Sequence, residues 1–286
     1  MKWMCGSKTI ELNKRPLLMG ILNMTPDSFS GGCRHLDEAM SHAEALLGEG
    51  ADILDIGGES TRPGSESVSL QEEMDRVIPL IQRVKNITDR AISIDTQKAE
   101  IAMEAIDHGA EIINHVSGSL DYLEMLPVLQ KSEAGYIGMH MKARPKKMQN
   151  ETNYHDVVQD VADALIHIQD TLVLNGVNKN RLVFDPGIGF GKTPQQCLTL
   201  LRNTKKISGK LSRPLLMGLS RKAWINHYLN VAVHDRDHAT GTASALLPFP
   251  EVAIHRVHNV KKTRQSLVLK GLQEARQWDW NSQIYT

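Results

Sequence analysis

Aromatic residues make up only 5% of the 286-residue chain, cysteines number three, and neither sign of charge prevails. Each scarcity removes a class of protein. Cys5, Cys33 and Cys197 are widely spaced and form no C-x-x-C pair, so neither a disulfide framework nor a zinc site is expected. Lysine plus arginine balance aspartate plus glutamate at 33 each, so no global field draws the chain to nucleic acid or to an anionic membrane. No apolar run approaches membrane-spanning length, and MKWMCGSKTIELNKR at the N-terminus lacks the apolar stretch of a signal peptide. A cytoplasmic, reducing location is the expectation. The basic run KARPKKM at 142–148 reads as a solvated loop, with an anion-attracting rim as the alternative.

What is present is alternation of two kinds of segment. Short runs rich in Ile, Val and Leu recur eight times: 17–23, 52–58, 91–96, 111–116, 136–141, 181–187, 214–220 and 252–258. Between most of them lie amphipathic stretches at helical spacing, such as 36–50, 70–84, 97–109 and 154–176, several of which end at glycine. Continuous apolar strands alternating with helices call for a parallel sheet covered on both faces. Eight units in a chain of this length predict a (β/α)8 TIM barrel, a single domain over 1–286. The stretch before the first run alternates weakly and predicts a short β extension, a small lid over the barrel's bottom.

In such barrels the chemistry sits at the carboxyl ends of the strands. There the sequence places Asn23, Asp55, Glu59, Asp95, Asn114, Asp185, Ser220, Arg221, Lys222, Arg256 and His258. One such residue is as readily a strand-end cap as a site. Seven of eight strand ends converging on one mouth favour a site. Asp95, Asn114, Asp185 and Lys222 suit the edge of a flat heterocycle carrying both donors and acceptors. Asn23, Thr61, Arg62, Ser220, Arg256 and His258 suit a polyphosphate, and the Asn23 carboxamide suits the Mg²⁺ such a group would carry. The segment DPGIGFGKT at 185–193 is not a P-loop. In G-x-x-x-x-G-K-[ST] its first glycine falls on Pro186, which has no N–H for a phosphate. Lys192 there reads as a structural or rim cation.

At these residues the chain resembles the dihydropteroate synthases of folate biosynthesis. The resemblance is carried by GILNMTPDSFS (20–30), DILDIGGESTRPGS (52–65), SIDTQK (93–98), EIIN (111–114), GMHMK (138–142), LVFDPGIGFGKT (182–193), PLLMGLSRK (214–222) and IHRVHNV (254–260). It implies a transferase that condenses 6-hydroxymethyl-7,8-dihydropterin pyrophosphate with p-aminobenzoate, releasing pyrophosphate. It implies a pterin pocket of Asp95, Asn114, Met139, Asp185, Phe190 and Lys222. Asn23, Arg62, Arg256 and His258 match the pyrophosphate positions, with Asn23 at the Mg²⁺. Thr61, Arg62 and Pro63 match one mobile loop, and Pro26, Asp27, Ser28 and Phe29 another. With Ser220 and Lys222 these loops would form the p-aminobenzoate pocket. Asp95, Lys222, Arg256 and His258 would carry catalysis, and a homodimer through the C-terminal helices is implied.

Four departures accompany the match. The loop after Phe29 reads Ser30-Gly31-Gly32-Cys33 and is one residue shorter than the usual S-D-G-G, His115 replaces the aspartate of IIND, Asn259 that of RVHDV, and Gln97 the serine of DTSK. Pro248 and Pro250 also require the helix before the last strand to end by about Leu247. Rival readings are a pterin-binding paralogue without synthase activity and a pterin-dependent methyltransferase, which would need neither STRPG, SRK nor RVH. A metal-dependent barrel hydrolase would need an H-x-H on its first strand, which reads MGILNMT. The 12 histidines are therefore expected on the surface or behind the site.

Overall fold

A computed structural model describes residues 1–24, 34–61, 65–144, 146, 148, 151–276 and 278–285. Each of the eight apolar runs forms a parallel strand: β3 (Leu17–Asn23), β4 (Ile53–Gly57), β5 (Ala91–Asp95), β6 (Ile112–His115), β7 (Gly135–Met139), β8 (Leu182–Asp185), β9 (Leu215–Met217) and β10 (Val252–Val257). They close in sequence order, β10 pairing with both β9 and β3. The amphipathic stretches form the outer helices α1 (Arg34–Gly48), α2 (Leu70–Lys85), α3 (Ala99–Asp107), α4 (Gly118–Lys131) and α5 (Val157–Leu174). After β8 come α6 (Pro194–Arg202) and α7 (Thr204–Leu211), and after β9 come α8 (Ala223–Leu229) and α9 (Arg236–Ala245); α10 (Val260–Gln273) follows β10. The fold is a (β/α)8 TIM barrel.

The period-two alternation of each strand sorts its side chains into two cores. Outward residues such as Leu18, Leu54, Ile92, Ile113, Phe184 and Leu215 pack under the helices. Inward residues near the amino ends (Leu17, Met19, Ile53, Ala91, Ile112, Ile137, Val183, Leu216 and Ile254) form a second core inside the barrel. The expected lid is an antiparallel hairpin, β1 (Lys2–Cys5) with β2 (Lys8–Glu11), that adds Trp3, Cys5, Ile10 and Leu12 to this inner core. The Trp3 indole donates to the Arg181 carbonyl at 2.8 Å, so its one polar atom is satisfied.

The chain's end completes the floor, which no periodic signal announces. Ile284 is buried in the inner core, and Tyr285 forms a β-bridge with Ile10. The Tyr285 hydroxyl accepts the Ala91 N–H at 3.0 Å and donates to the Asp52 carbonyl. Helix α9 ends at Ala245, ahead of Pro248, as the prolines require. Of the histidines, His115, His140 and His255 are buried; His115 and His140 lie behind the site, as one of the two expectations had it.

At the start of the barrel, Arg15 makes a two-pronged ion pair with Asp52, both bonds 2.8 Å and both side chains buried. Asp52 also accepts the Leu18 N–H at 3.0 Å, and Arg15 stacks on Trp280 at 4.9 Å. Arg15→Met would leave a buried carboxylate with only the more exposed Arg90 guanidinium, 3.7 Å away, as countercharge. The expected loss is about 3–5 kcal/mol of unfolding free energy, measurable as a lower urea midpoint at unchanged slope.

Candidate active site

The alternation that builds the apolar floor also builds the mouth. Two residues on from Ile53 comes Asp55, from Ser93 comes Asp95, from Ile112 comes Asn114, from Val183 comes Asp185, and from Ile254 comes Arg256. Each polar side chain therefore occupies the inward face at a carboxyl end. Arg256 bridges two of them: its Nε donates to Asp55 at 2.5 Å and its terminal nitrogen to Asp95. Asn114 Nδ2 donates to the same Asp55 oxygen at 3.0 Å. Asp55, fully buried, is thus the hub of this layer. The motif pattern left it out of the pocket; its inward register in β4 was the signal that could have found it.

Two carboxylates share one guanidinium, so the layer holds an excess negative charge. Burial pushes the Asp95 carboxyl up to about 7, with Arg256 opposing and Asp55 adding to the shift. Burial works against the Arg256 charge, yet Asp55 and Asp95 hold it above the ordinary arginine value. One oxygen each of Asp55 and Asp95, and the Ser93 hydroxyl, have no partner among the described residues. Of these, Asp95 lines the cavity, and an unused buried acceptor there calls for a donor from outside the chain.

The DPGIGFGKT turn lies beside this layer. Asp185 Oδ1 accepts the Gly187 N–H at 2.7 Å, and burial raises the Asp185 carboxyl against the opposing charge of Lys222. Lys222 donates to the Ile188 carbonyl at 2.5 Å and lies 4.5 Å from the centre of the Phe190 ring. Burial lowers its ammonium to about 8, with Asp185 opposing. Lys192 is structural, not a rim cation. It is buried, 3.0 Å from His140 Nδ1 and from the Phe190 carbonyl. Burial brings Lys192 down to about 7 and drives His140 well below its ordinary value. Thr193 closes the turn by capping α6 in a reciprocal box with Gln196.

Above the layer opens a cavity of about 870 Å³ whose walls include Asn23, Thr61, Asp95, Phe190, Ser220, Lys222, Arg256 and His258. Asn114, Met139 and Asp185 are buried beside it; Met139 packs with Phe190, and Asp185 abuts Gly218 of the wall. Ser220 Oγ lies 2.9 Å from His258 Nδ1, joining the ends of β9 and β10. Pro26, Asp27, Ser28, Phe29, Arg62 and Pro63, with Ser30 and Cys33, lie outside the described residues. The basic run is a solvated loop in part: Arg144 reaches back to Asp121 at 2.7 Å, while Met148 is buried in the wall. Among the described residues no three His, Cys, Asp or Glu side chains gather into a metal cage. A lone carboxamide, Asn23, on the rim of a polar cavity does fit Mg²⁺, which takes few protein oxygens and completes its shell with phosphate and water.

A family model described as pterin binding enzyme matches residues 19–258, a span that takes in the whole constellation. The chain belongs to the pterin binding enzyme family. A dihydropteroate synthase of Synechocystis sp. is 40% identical over 263 residues, 91% of each chain. The crystal structure of Yersinia pestis dihydropteroate synthase with a sulfonamide drug superposes with a TM-score of 0.89 at 38% identity, covering 96% of this chain and 100% of that one. The Xanthomonas albilineans dihydropteroate synthase in complex with 7,8-dihydropteroate gives 0.85 at 33% identity, with 96% and 99% covered.

Within this pterin binding enzyme, one glycine sets the turn. Gly187 has φ 71°, and a Cβ there would stand 1.8 Å from the His140 carbonyl oxygen. Gly187→Ala would combine left-handed strain with a backbone clash. We expect a loss of at least about 2 kcal/mol, read as a lower thermal midpoint. An unchanged midpoint would show that the turn relaxes freely.

Proposed function

We propose that the chain is a dihydropteroate synthase that joins 6-hydroxymethyl-7,8-dihydropterin pyrophosphate to p-aminobenzoate. The observation that carries the reading is the pairing of a carboxylate-lined polar layer with a cationic rim in one cavity. The relatives of known structure were solved with a sulfonamide and with 7,8-dihydropteroate, ligands of the same chemistry.

In this reading Asp185 accepts two N–H bonds from the pterin edge, Asn114 and Lys222 satisfy its remaining edge, and Met139 and Phe190 flank the ring. Arg256 and His258, joined by Arg62, neutralise the departing pyrophosphate. Asn23 would help to hold Mg²⁺, which when bound supplies further positive charge against the phosphates. Asp95 stabilises the pterin methyl cation electrostatically. Thr61 and Ser220 of the cavity wall contact p-aminobenzoate, and the reaction requires that water be kept from the cation; Phe29, Arg62 and Pro63, outside the described residues, match the family's p-aminobenzoate loops. The arylamine lone pair is free, so attack needs no strong general base. Leu246, Leu269 and Leu272, exposed on and beside α9 and α10, support a homodimer through these helices. The buried free thiols Cys5 and Cys197 support a cytoplasmic setting, and no described helix is long and apolar enough to cross a membrane.

The deciding assay supplies pure protein with Mg²⁺, the pterin pyrophosphate and p-aminobenzoate and looks for 7,8-dihydropteroate. Pterin binding without product would favour the paralogue instead. In Asp185→Asn the carboxamide presents a donor where the pterin presents one. Its pterin affinity should fall by about thirtyfold or more, about 2 kcal/mol, in titration calorimetry; near-normal affinity would sink the pocket assignment.

The titrations also set a pH window. A raised Asp95 carboxyl is ionised only above about 7, and a lowered Lys222 ammonium keeps its proton only below about 8. If the ionised Asp95 and the protonated Lys222 are the working forms, kcat/KM for the pterin substrate should follow a narrow bell between these values. Lys222→Arg, which does not deprotonate, should carry the alkaline limb upward. A flat profile from pH 6 to 9 would remove both residues from these roles.

A further inference from the structure

Arg221 sits between two residues of the proposed site, Ser220 and Lys222, and its backbone is left-handed at φ 58°. A non-glycine residue there is strained by about 1–2 kcal/mol and persists only where its surroundings hold it. Every polar group of Arg221 that could hold it is engaged by α9. Its N–H donates to Thr240 Oγ1 at 3.3 Å, and its carbonyl accepts from the Arg236 guanidinium at 2.9 Å. Its own guanidinium makes a two-pronged pair with Asp237, at 2.7 and 2.9 Å.

Asp237 reaches the other side of the mouth as well. Asn259 Nδ2 donates to Asp237 Oδ2 at 3.2 Å, while Asn259 Oδ1 caps α10 by accepting the Lys262 N–H at 2.9 Å. Asn259 immediately follows His258, whose N–H and Nδ1 both meet Ser220 Oγ, at 3.1 and 2.9 Å. One buried carboxylate (4% exposed) therefore ties together the turns that end β9 and β10. Arg221 belongs to the cavity wall, and Asp237 stands behind it in α9.

We propose that Asp237 is a positioning residue of this active site: by clamping Arg221 and Asn259 it sets where Ser220, Lys222 and His258 point into the cavity. The proposal rests on the synthase reading for its catalytic consequence, but the clamp itself does not. A displacement of about 1 Å at a reacting geometry can cost up to a hundredfold in rate, so the clamp acts on kcat/KM without touching substrate. The carboxylate and carboxamide of positions 237 and 259 face each other, so exchanging them keeps one negative charge and one hydrogen bond in the same pocket.

The test uses the full chain in three forms: Asp237→Asn, the exchange pair Asp237→Asn with Asn259→Asp, and Thr240→Val, which removes the acceptor of the Arg221 N–H together with the hydroxyl's bond to the Arg236 carbonyl within α9. Hydrogen exchange of the segment 219–224 and kcat/KM for both substrates are read together with the thermal midpoint. Asp237→Asn should speed exchange there and lower kcat/KM at least tenfold. The exchange pair keeps the negative charge and the 237–259 bond but leaves Arg221 one acceptor at position 237, so it should recover both in part, and Thr240→Val should move both in the same direction, less far. If Asp237→Asn does not fold, the other two variants decide. The clamp is overturned if exchange is unchanged in the folded variants, or if the pair melts like the parent yet stays as impaired as Asp237→Asn. The positioning role is overturned if exchange rises while kcat/KM stays within twofold. A parent that makes no dihydropteroate would fail the functional reading, and the exchange measurement would still decide the clamp.

Discussion

The mouth of the barrel depends on one guanidinium placed between two carboxylates. Arg256 holds Asp55 and Asp95 inside a parallel barrel, where an unpaired charge would cost several kcal/mol. The pairing is incomplete by one charge. Burial, with Asp55 adding to it and Arg256 opposing, keeps Asp95 raised, and one oxygen of each carboxylate has no donor among the described residues. A fully paired layer would be more stable and would have nothing to offer a ligand. The unpartnered oxygens of Asp55 and Asp95 are acceptors that a donor-rich ligand could satisfy.

The rest of the barrel makes this arrangement tolerable. Inward positions near the amino ends are apolar and sealed by Trp3, Ile10, Leu12 and Ile284. Polar residues on the same face begin only at the layer of Asp55 and Ser93. Water therefore reaches the charged layer from one side alone, and the low dielectric on the other side strengthens each contact there. The division arises from alternation within single strands: β4 contributes Ile53 to the floor and Asp55 to the mouth, and β10 contributes Ile254 and Arg256.

Much of this was legible in the sequence because the relevant signals are local. Eight apolar runs, their helices and the polar residues at strand ends follow from spacing, and all eight runs became strands. What escaped depends on contacts between distant segments. Asp55 was visible as a strand-end polar residue, but its bonds to Arg256, 201 positions away, and to Asn114, 59 away, are tertiary. The closing role of Ile284 and Tyr285 has no periodic pattern to betray it. Lys192 looked as much like a rim cation as a structural one, because nothing in GFGKT says that His140, 52 residues earlier, supplies a partner.

The departures at His115 and Asn259 have a common physical form. In each, a position that in the resembling motif carries an aspartate carries a different residue here, and an aspartate near the start of a wall helix, α4 after β6 or α9 before β10, meets it. Asp121 of α4 lies 3.0 Å from His115 Nε2, which also neighbours Ser117, while Tyr136 binds the other ring nitrogen. Asp237 of α9 meets Asn259. Burial opposes the charge of both aspartates, but His115 and Arg144 in one case and Arg221 in the other outweigh it and hold each below the ordinary carboxylate range. For Asp237 the first turn of α9 also favours a carboxylate through its exposed N–H groups and dipole. In both places a wall-helix carboxylate stands against the residue that departs from the motif. Each such helix is tied to the mouth, and the geometry beside Asn114 and His258 depends on how α4 and α9 pack.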